Sequence, residues 1–436
     1  MASIQLAIAV GIVHAMWRAA PRDLGGALLA LGTYVVLVAG ATVVFRDDLT
    51  SDRNSLLVGA AWLALLAGVT VAGLLLRVTD RDFPEVFAAP ELAPAADHGF
   101  YGPGSVTWKV WSYPTSLTIG FQRAVVIEEL DPHLVAAVTK THGIYDRPRT
   151  RYDRTLRYFA MVAFGDTRST TKAADVLVRI HAKGIGIDPV TDTRYDANDP
   201  DSQLWILVTA WHSILAAYER YGPGRLSAAD EAQYWAECAR AAELQTCDPD
   251  QVPRSRDEVR AYFEAMRPQL IGSEYARDAM RHLLQAEVML PPMSRLLWPL
   301  TFVVTRLLRR GTLATMPVWM REVVDLPVNR YADAAVRPLL CVMFWAVSLN
   351  TAVQLLLLRI LSPMTLPIAG PVLRRIEPLE ARTMTPREAQ AAYGFEPPAA
   401  AHADFRATQV RRVFTEGAAP QEDGILESQP ILGNID

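Results

Sequence analysis

Ser169-Thr170-Thr171-Lys172-Ala173-Ala174-Asp175-Val176-Leu177-Val178-Arg179-Ile180-His181-Ala182-Lys183-Gly184 is a helix signal with both ends marked. Ser169, Thr170 and Thr171 offer N-capping oxygens, Asp175 suits the positive end of the helix dipole, and Gly184 followed by Gly186 supplies a stop. Ala174, Leu177, Val178 and His181 recur at i, i+3, i+4 and i+7, so the imidazole shares the face that its apolar neighbours turn inward. A buried imidazole left without a partner costs about 1 to 3 kcal/mol. A backbone carbonyl, a buried carboxylate or a metal ion would each satisfy it, and the stripe alone does not choose among them.

The same helical periodicity continues on both sides of this segment, with breaks at Pro or Gly and almost no strand signal. A long helix is expected over residues 201–221, with Asp199 as cap, Pro200 in the first turn and Gly222-Pro223 as stop. Ser227 with Asp230, and Ser255 with Glu258, resemble capping boxes that open two more helices. Residues 337–361 read as one long core or membrane-facing helix in which Asn350 and Gln354 lie one turn apart. The fold class is therefore all-α, with a helical domain over 108–376 and a Pro-, Ala- and Glu-rich tail over 377–436 that is expected to be largely disordered.

Upstream, residues 25–45 and 55–76 carry no charged side chain, and each run is about 20 residues, the length of a membrane-crossing helix. The charged turn 46–54 between them makes the pair a transmembrane hairpin, so residues 1–82 read as a membrane anchor and the Pro- and Gly-rich stretch 83–107 as a linker. Two buried core helices are the alternative reading. Residues 4–17, with His14, are short for a span and suit an interfacial position. Arginines are balanced around the hairpin, which leaves its orientation open, and an integral protein of a bacterial cytoplasmic membrane is the expected location.

The formal net charge of −4 argues against a nucleic-acid partner, which would ask for a concentrated basic surface. Cys238, Cys247 and Cys341 show neither CxxC spacing nor clustered histidines, so no zinc site or disulfide framework is indicated.

Three features precede His181. Asp131-Pro132-His133-Leu134-Val135-Ala136-Ala137-Val138 is followed by His142 and by the arginine-dense run Arg147-Pro148-Arg149-Thr150-Arg151-Tyr152-Asp153-Arg154-Thr155. Arg151 and Thr155 lie four apart on one helix face, and arginines in such a run suit carboxylates, because the guanidinium fork donates two parallel hydrogen bonds. A solvated basic turn pairing with Asp131, Asp146 and Asp153 is the plainer reading. Glu128 and Glu129, a turn before the segment that starts at Pro132, are candidates for a distal acid or base, or are surface carboxylates. His212 and His142 are rival ligands to His181.

Taken together, these residues resemble the catalytic domain shared by bacterial latex-clearing rubber oxygenases and the membrane-bound oxygenase of mycophenolic acid biosynthesis. The matching order is Pro132 to Ala137, Arg151 with Thr155, Ile180-His181, Tyr195-Asp196-Ala197-Asn198-Asp199-Pro200, and a Trp-led helix from Trp205. Leu226-Ser227 before a helix with Tyr234 and Glu237, then Val252-Pro253-Arg254-Ser255, then Pro317-Val318-Trp319-Met320-Arg321-Glu322 complete it, over about Trp108 to Arg375. The resemblance implies an all-helical domain around a b-type haem, with His181 as proximal iron ligand, Arg151 and Thr155 near the haem pocket, and Arg151 and Arg154 as cofactor-binding partners for the haem propionates. Arg151, Thr155 and Glu129 are the expected catalytic residues. Two positions depart from the family pattern: Leu207 stands where a histidine is frequent, and Gly184 where a valine is. The expected function is a membrane-anchored haem oxygenase that uses dioxygen on a small hydrophobic substrate arriving from membrane lipid. Alternatives are a haem peroxidase or dehydrogenase with a redox partner, and a non-enzymatic membrane interaction protein.

Overall fold

The computed structural model describes residues 92–140, 143–286, 290 and 298–420. In chain order the helices are α1 (Val106–Trp111), α2 (Phe121–Glu128), α3 (Pro132–Lys140), α4 (Gly143–Asp146), α5 (Pro148–Phe164), α6 (Thr167–His181), α7 (Pro200–Tyr221), α8 (Ala228–Ala242), α9 (Arg256–Met266), α10 (Glu274–Leu283), α11 (Trp298–Thr315), α12 (Val318–Val323), α13 (Arg330–Ser348), α14 (Thr351–Leu361), α15 (Leu366–Arg374), α16 (Pro386–Tyr393) and α17 (Ala403–Phe414). The described chain is thus mainly helical. One antiparallel hairpin interrupts it, β1 (Ile185–Ile187) against β2 (Arg194–Asp196), with Gly186 opposite Tyr195.

A helix that is apolar all round belongs in the middle, and α7 is such a helix. Asp199 caps it, its carboxylate accepting from the amides of Asp201 and Ser202 at 3.0 Å each, and Pro200 fills the first turn. Trp205, Val208, Trp211 and Leu215 are buried along its length. The Trp211 ring meets Trp111 of α1 at a centroid distance of 5.3 Å and Tyr234 of α8 at 4.9 Å. Helix α2 crosses α7 after a π-helical turn, Ser116–Gly120. A Cβ at Gly120 would sit 3.0 Å from the Ile214 Cα, so a larger residue would push the two backbones apart by a few tenths of an ångström.

The His181 helix is held from both ends. Asp166, not the Ser169-Thr171 cluster, caps α6: its carboxylate accepts from the Ser169 amide at 2.8 Å, and the helix starts two residues earlier than the sequence suggests. The buried Asp97 carboxylate accepts from the amides of Gly99 and Thr167 at 2.9 Å each and from the Thr167 hydroxyl. At the other end, Asn198 donates through Nδ2 to the Val178 carbonyl at 2.9 Å, and the Ala197 amide bonds Gly184 O at 2.9 Å.

Three expectations are corrected. The proposed tail from 377 is ordered over its described part: α16 opens with a capping box between Thr385 and Glu388, and both α16 and α17 pack on the His181 region. There His402 pairs with Asp175 at 2.9 Å, and the guanidinium groups of Arg179 and Arg194 lie over Phe405 and Phe414 at 5.9 and 4.6 Å. Low apolar content hid this, because the segment docks through capping, ring-cation contacts and backbone pairing of residues 379–382 with 95–98. The proposed linker is core over its described part, with Asp97, Phe100 and Tyr101 buried. The single helix over 337–361 is two, because Asn350 caps α14 by accepting from the amides of Ala352 and Val353 at 3.0 and 3.3 Å. The proposed transmembrane hairpin and His142 lie outside the described residues.

Candidate active site

Four helices converge on His181. Helix α5 carries Arg151, Thr155 and Tyr158 at i, i+4 and i+7, α6 carries Leu177, Ile180 and His181, α7 brings Gln203 and Ile206, and the end of α2 brings Glu128 and Glu129. Between them lie two adjoining cavity lobes of about 1020 and 1250 Å³, counting their open mouths. Glu128, Arg151, Thr155, His181, Gln203 and Ile206 line both lobes and so form the partition between them. On one side the wall is Phe121, Val125, Leu134, Ala137 and Ile144; on the other it is Trp111, Phe159, Leu177, Leu207 and Trp211. The Pro132-to-Ala137 segment therefore contributes to the first lobe, and Leu207 faces the second.

His181 is half-buried at the C-terminal end of α6, and neither ring nitrogen hydrogen-bonds a described residue. Loss of water, reinforced by the Arg151 charge, lowers its pKa to about 4, which leaves the imidazole neutral with a lone pair available. The Arg151 guanidinium likewise hydrogen-bonds no described side chain; burial pulls its pKa down while Glu129 and Glu128 pull it up. Burial raises Glu128 from 4.5 to about 8, with Glu129 adding and Arg151 opposing. Glu129 rises to about 7 by burial, against Arg151 and with Asp131. One oxygen of each carboxyl and the Tyr158 hydroxyl are buried without a partner. Buried polar atoms are normally bonded, so these three are polar contacts that a molecule or water in the cavity can take up.

The structure brings together His181, Arg151, Thr155 and Glu129 on the first lobe, and His181, Arg151, Arg154 and Thr155 on the second. It does not bring His212 there: that ring lies 3.4 Å from the buried Arg123 guanidinium through Nδ1 and packs on Phe263 at 4.9 Å. Gln203, Ile206 and Tyr158 were not singled out from sequence. Tyr158 continues the Arg151 and Thr155 face and was legible by that spacing. Gln203 was not, because its Nε2 also donates to the Ala197 carbonyl at 2.8 Å and the residue reads as part of the helix start.

A family model for the catalytic domain of the ER-bound oxygenase mpaB/B' and rubber oxygenase matches residues 108–348, more than half of the chain. The chain belongs to this family. The matched segment holds every residue of the partition, and the oxygenase-family domain is therefore the part of the chain that carries the site. Segments beyond it, residues 92–105 and helices α16 and α17, brace α6 from outside. No curated protein and no solved structure matches the chain significantly.

Proposed function

We propose that this chain is a membrane-anchored, b-type haem-dependent oxygenase that acts with dioxygen on a hydrophobic substrate. The observation that carries the reading is the His181 ring: neutral, without a hydrogen-bond partner, and set in a partition with a cavity lobe on either side. Among the described residues no group of three or more His, Cys, Asp or Glu side chains is arranged to hold a metal. A porphyrin brings four nitrogen ligands of its own to an iron held by one imidazole. The donor set fits that group, with a neutral imidazole for iron and Arg151 and Arg154 on the same cavity for carboxylates. When bound, haem supplies dioxygen activation at iron.

The remaining work falls to the protein. Apolar walls hold an apolar substrate and keep water out, which strengthens every charge interaction inside. The Glu128 carboxyl retains its proton at neutral pH, and Glu129 is close to half-protonated there, so the pair holds a proton at Oε that can move to or from a reacting group. Arg151 opposes that retention and keeps Glu129 near neutrality. Thr155, one turn along from Arg151, offers a hydroxyl on the same face. The two uncharged 20-residue runs before Leu92 support anchoring, and lipid is where an apolar substrate concentrates.

Turnover of an unsaturated hydrocarbon under labelled dioxygen tests the reading by product mass. Label in the product is the expected result. Turnover that needs peroxide and leaves the product unlabelled overturns it in favour of a peroxidase.

A further inference from the structure

The exposed apolar residues are unevenly distributed. Phe302 on α11, Trp345 and Leu349 at the end of α13, and Val353 and Leu357 on α14 are 46, 55, 61, 36 and 36 % exposed. Helix α11 runs antiparallel to α13, since Arg310 near the end of α11 pairs with Asp333 near the start of α13 at 2.6 Å. Phe302, eight residues before Arg310, therefore lies towards the Trp345 end of α13. Among the described residues α13 is the one helix long and apolar enough to cross a membrane, yet Val336, Leu340 and Phe344 are buried in the domain. Its inner face is committed to protein and its outer face is not. Soluble proteins seldom leave tryptophan, phenylalanine and leucine together in water without a partner.

Charge and chain direction say what the partner is. Residues 298–376 carry nine arginines against three carboxylates, in a protein whose net charge is −4. Arg306, Arg337, Arg374 and Arg375 are exposed, and none forms an ion pair with a described residue. Arg306 lies over the Phe302 ring at 4.6 Å, an arginine and an aromatic ring at one spot, as at a headgroup boundary. The second uncharged N-terminal run ends at residue 76, and Leu92, 16 residues on, packs at Gly370 of α15: a Cβ there would meet its side chain at 2.8 Å, beside Leu355 of α14. The chain thus enters the domain next to this face. At the far end of α14, Arg149 donates to the Ile360 carbonyl at 3.1 Å, and the preceding residue, Pro148, lines the first cavity lobe.

We propose that the outer face of α11, α13 and α14 is a membrane-docking surface that seats the domain on an anionic lipid bilayer, with the first cavity lobe opening beside the lipid. The proposal rests on the membrane-anchored reading above and adds a fixed orientation to it. Apolar side chains enter the acyl boundary while the arginines bind phosphate and carboxylate headgroups.

Spin labels at Leu349→Cys and, separately, Val353→Cys, in a Cys341→Ser background, test it on the full chain in vesicles of phosphatidylcholine with phosphatidylglycerol. Ile187→Cys, 49 % exposed on the β-hairpin, is the control. Co-flotation with vesicles reports the anchor, and failure there sinks the anchored reading itself. In floated protein the account expects oxygen collisions at 349 and 353 to exceed those of a water-soluble nickel complex several-fold relative to the control. It also expects Arg337→Gln with Arg374→Gln to lower the docked-to-undocked ratio roughly fivefold per arginine. Floated protein whose labels meet the nickel complex as freely as the control overturns the docking surface alone. So do labels shielded from both probes, which would mean that a folded-back segment or a second copy covers the face.

Discussion

Replacing Glu128 by glutamine should remove most of the loss of stability that this protein suffers on moving from mildly acid to mildly alkaline pH. The Glu128 carboxyl is pushed from 4.5 to about 8, first by loss of water and then by Glu129. In the unfolded chain it ionises at its ordinary value. Between the two values the folded state holds a proton that the unfolded state has released, so stability falls as pH rises and levels off above about 8. At about 1.4 kcal/mol per pH unit, the window from 4.5 to about 8 carries about 5 kcal/mol, and Glu129 adds a smaller share up to about 7. Glutamine keeps the shape and cannot ionise. Thermal unfolding of the full chain in detergent, followed by intrinsic fluorescence from about pH 5 to 8, reads the effect. The wild-type midpoint should fall with pH, and the Glu128→Gln midpoint should stay flatter and end several degrees higher, since 1 kcal/mol moves it by roughly 2–4 °C. A wild-type midpoint that climbs across the window, or a variant that tracks it, refutes the burial argument.

Asp97→Ala leaves the Gly99 and Thr167 amides and the Thr167 hydroxyl without their acceptor, and should cost about 2 to 4 kcal/mol by denaturant titration. Ending the chain at residue 384 removes α16 and α17 from the outer side of α6; amide exchange in residues 167–181 should then rise more than in α7, which neither segment braces. Arg151→Met removes the guanidinium and keeps the stem, so transfer of haem to a scavenging globin should quicken about tenfold or more while the melt is little changed.

Much of the helical architecture was legible because capping chemistry is local. Asp199-Pro200 and Gly222-Pro223 bracket α7 as the sequence suggests, and Ser227 and Ser255 cap α8 and α9. The cap of α6 is not legible in sequence, because Asp166 stands before three hydroxyl residues that look equally suitable. Thr170 and Thr171 instead bond back to the carbonyls of Met161 and Thr167. The break at Asn350 looked like a polar interruption of a span, since a cap and a buried amide share the same letter. The inward direction of His181 followed from its spacing. Its lack of a partner did not, because that depends on where α5, α7 and the end of α2 happen to stand. The partition residues Gln203 and Ile206 lie 22 and 25 residues from His181 on another helix, beyond any periodicity argument.

The central claim is one bond from His181 to a haem iron. Absorbance of the full chain, purified after expression with haem supplied, tests it against the His181→Ala and His212→Ala variants. A strong Soret band in wild type and His212→Ala that disappears in His181→Ala is the predicted result. A band that survives loss of His181, or a wild-type protein that takes up no haem, contradicts the account.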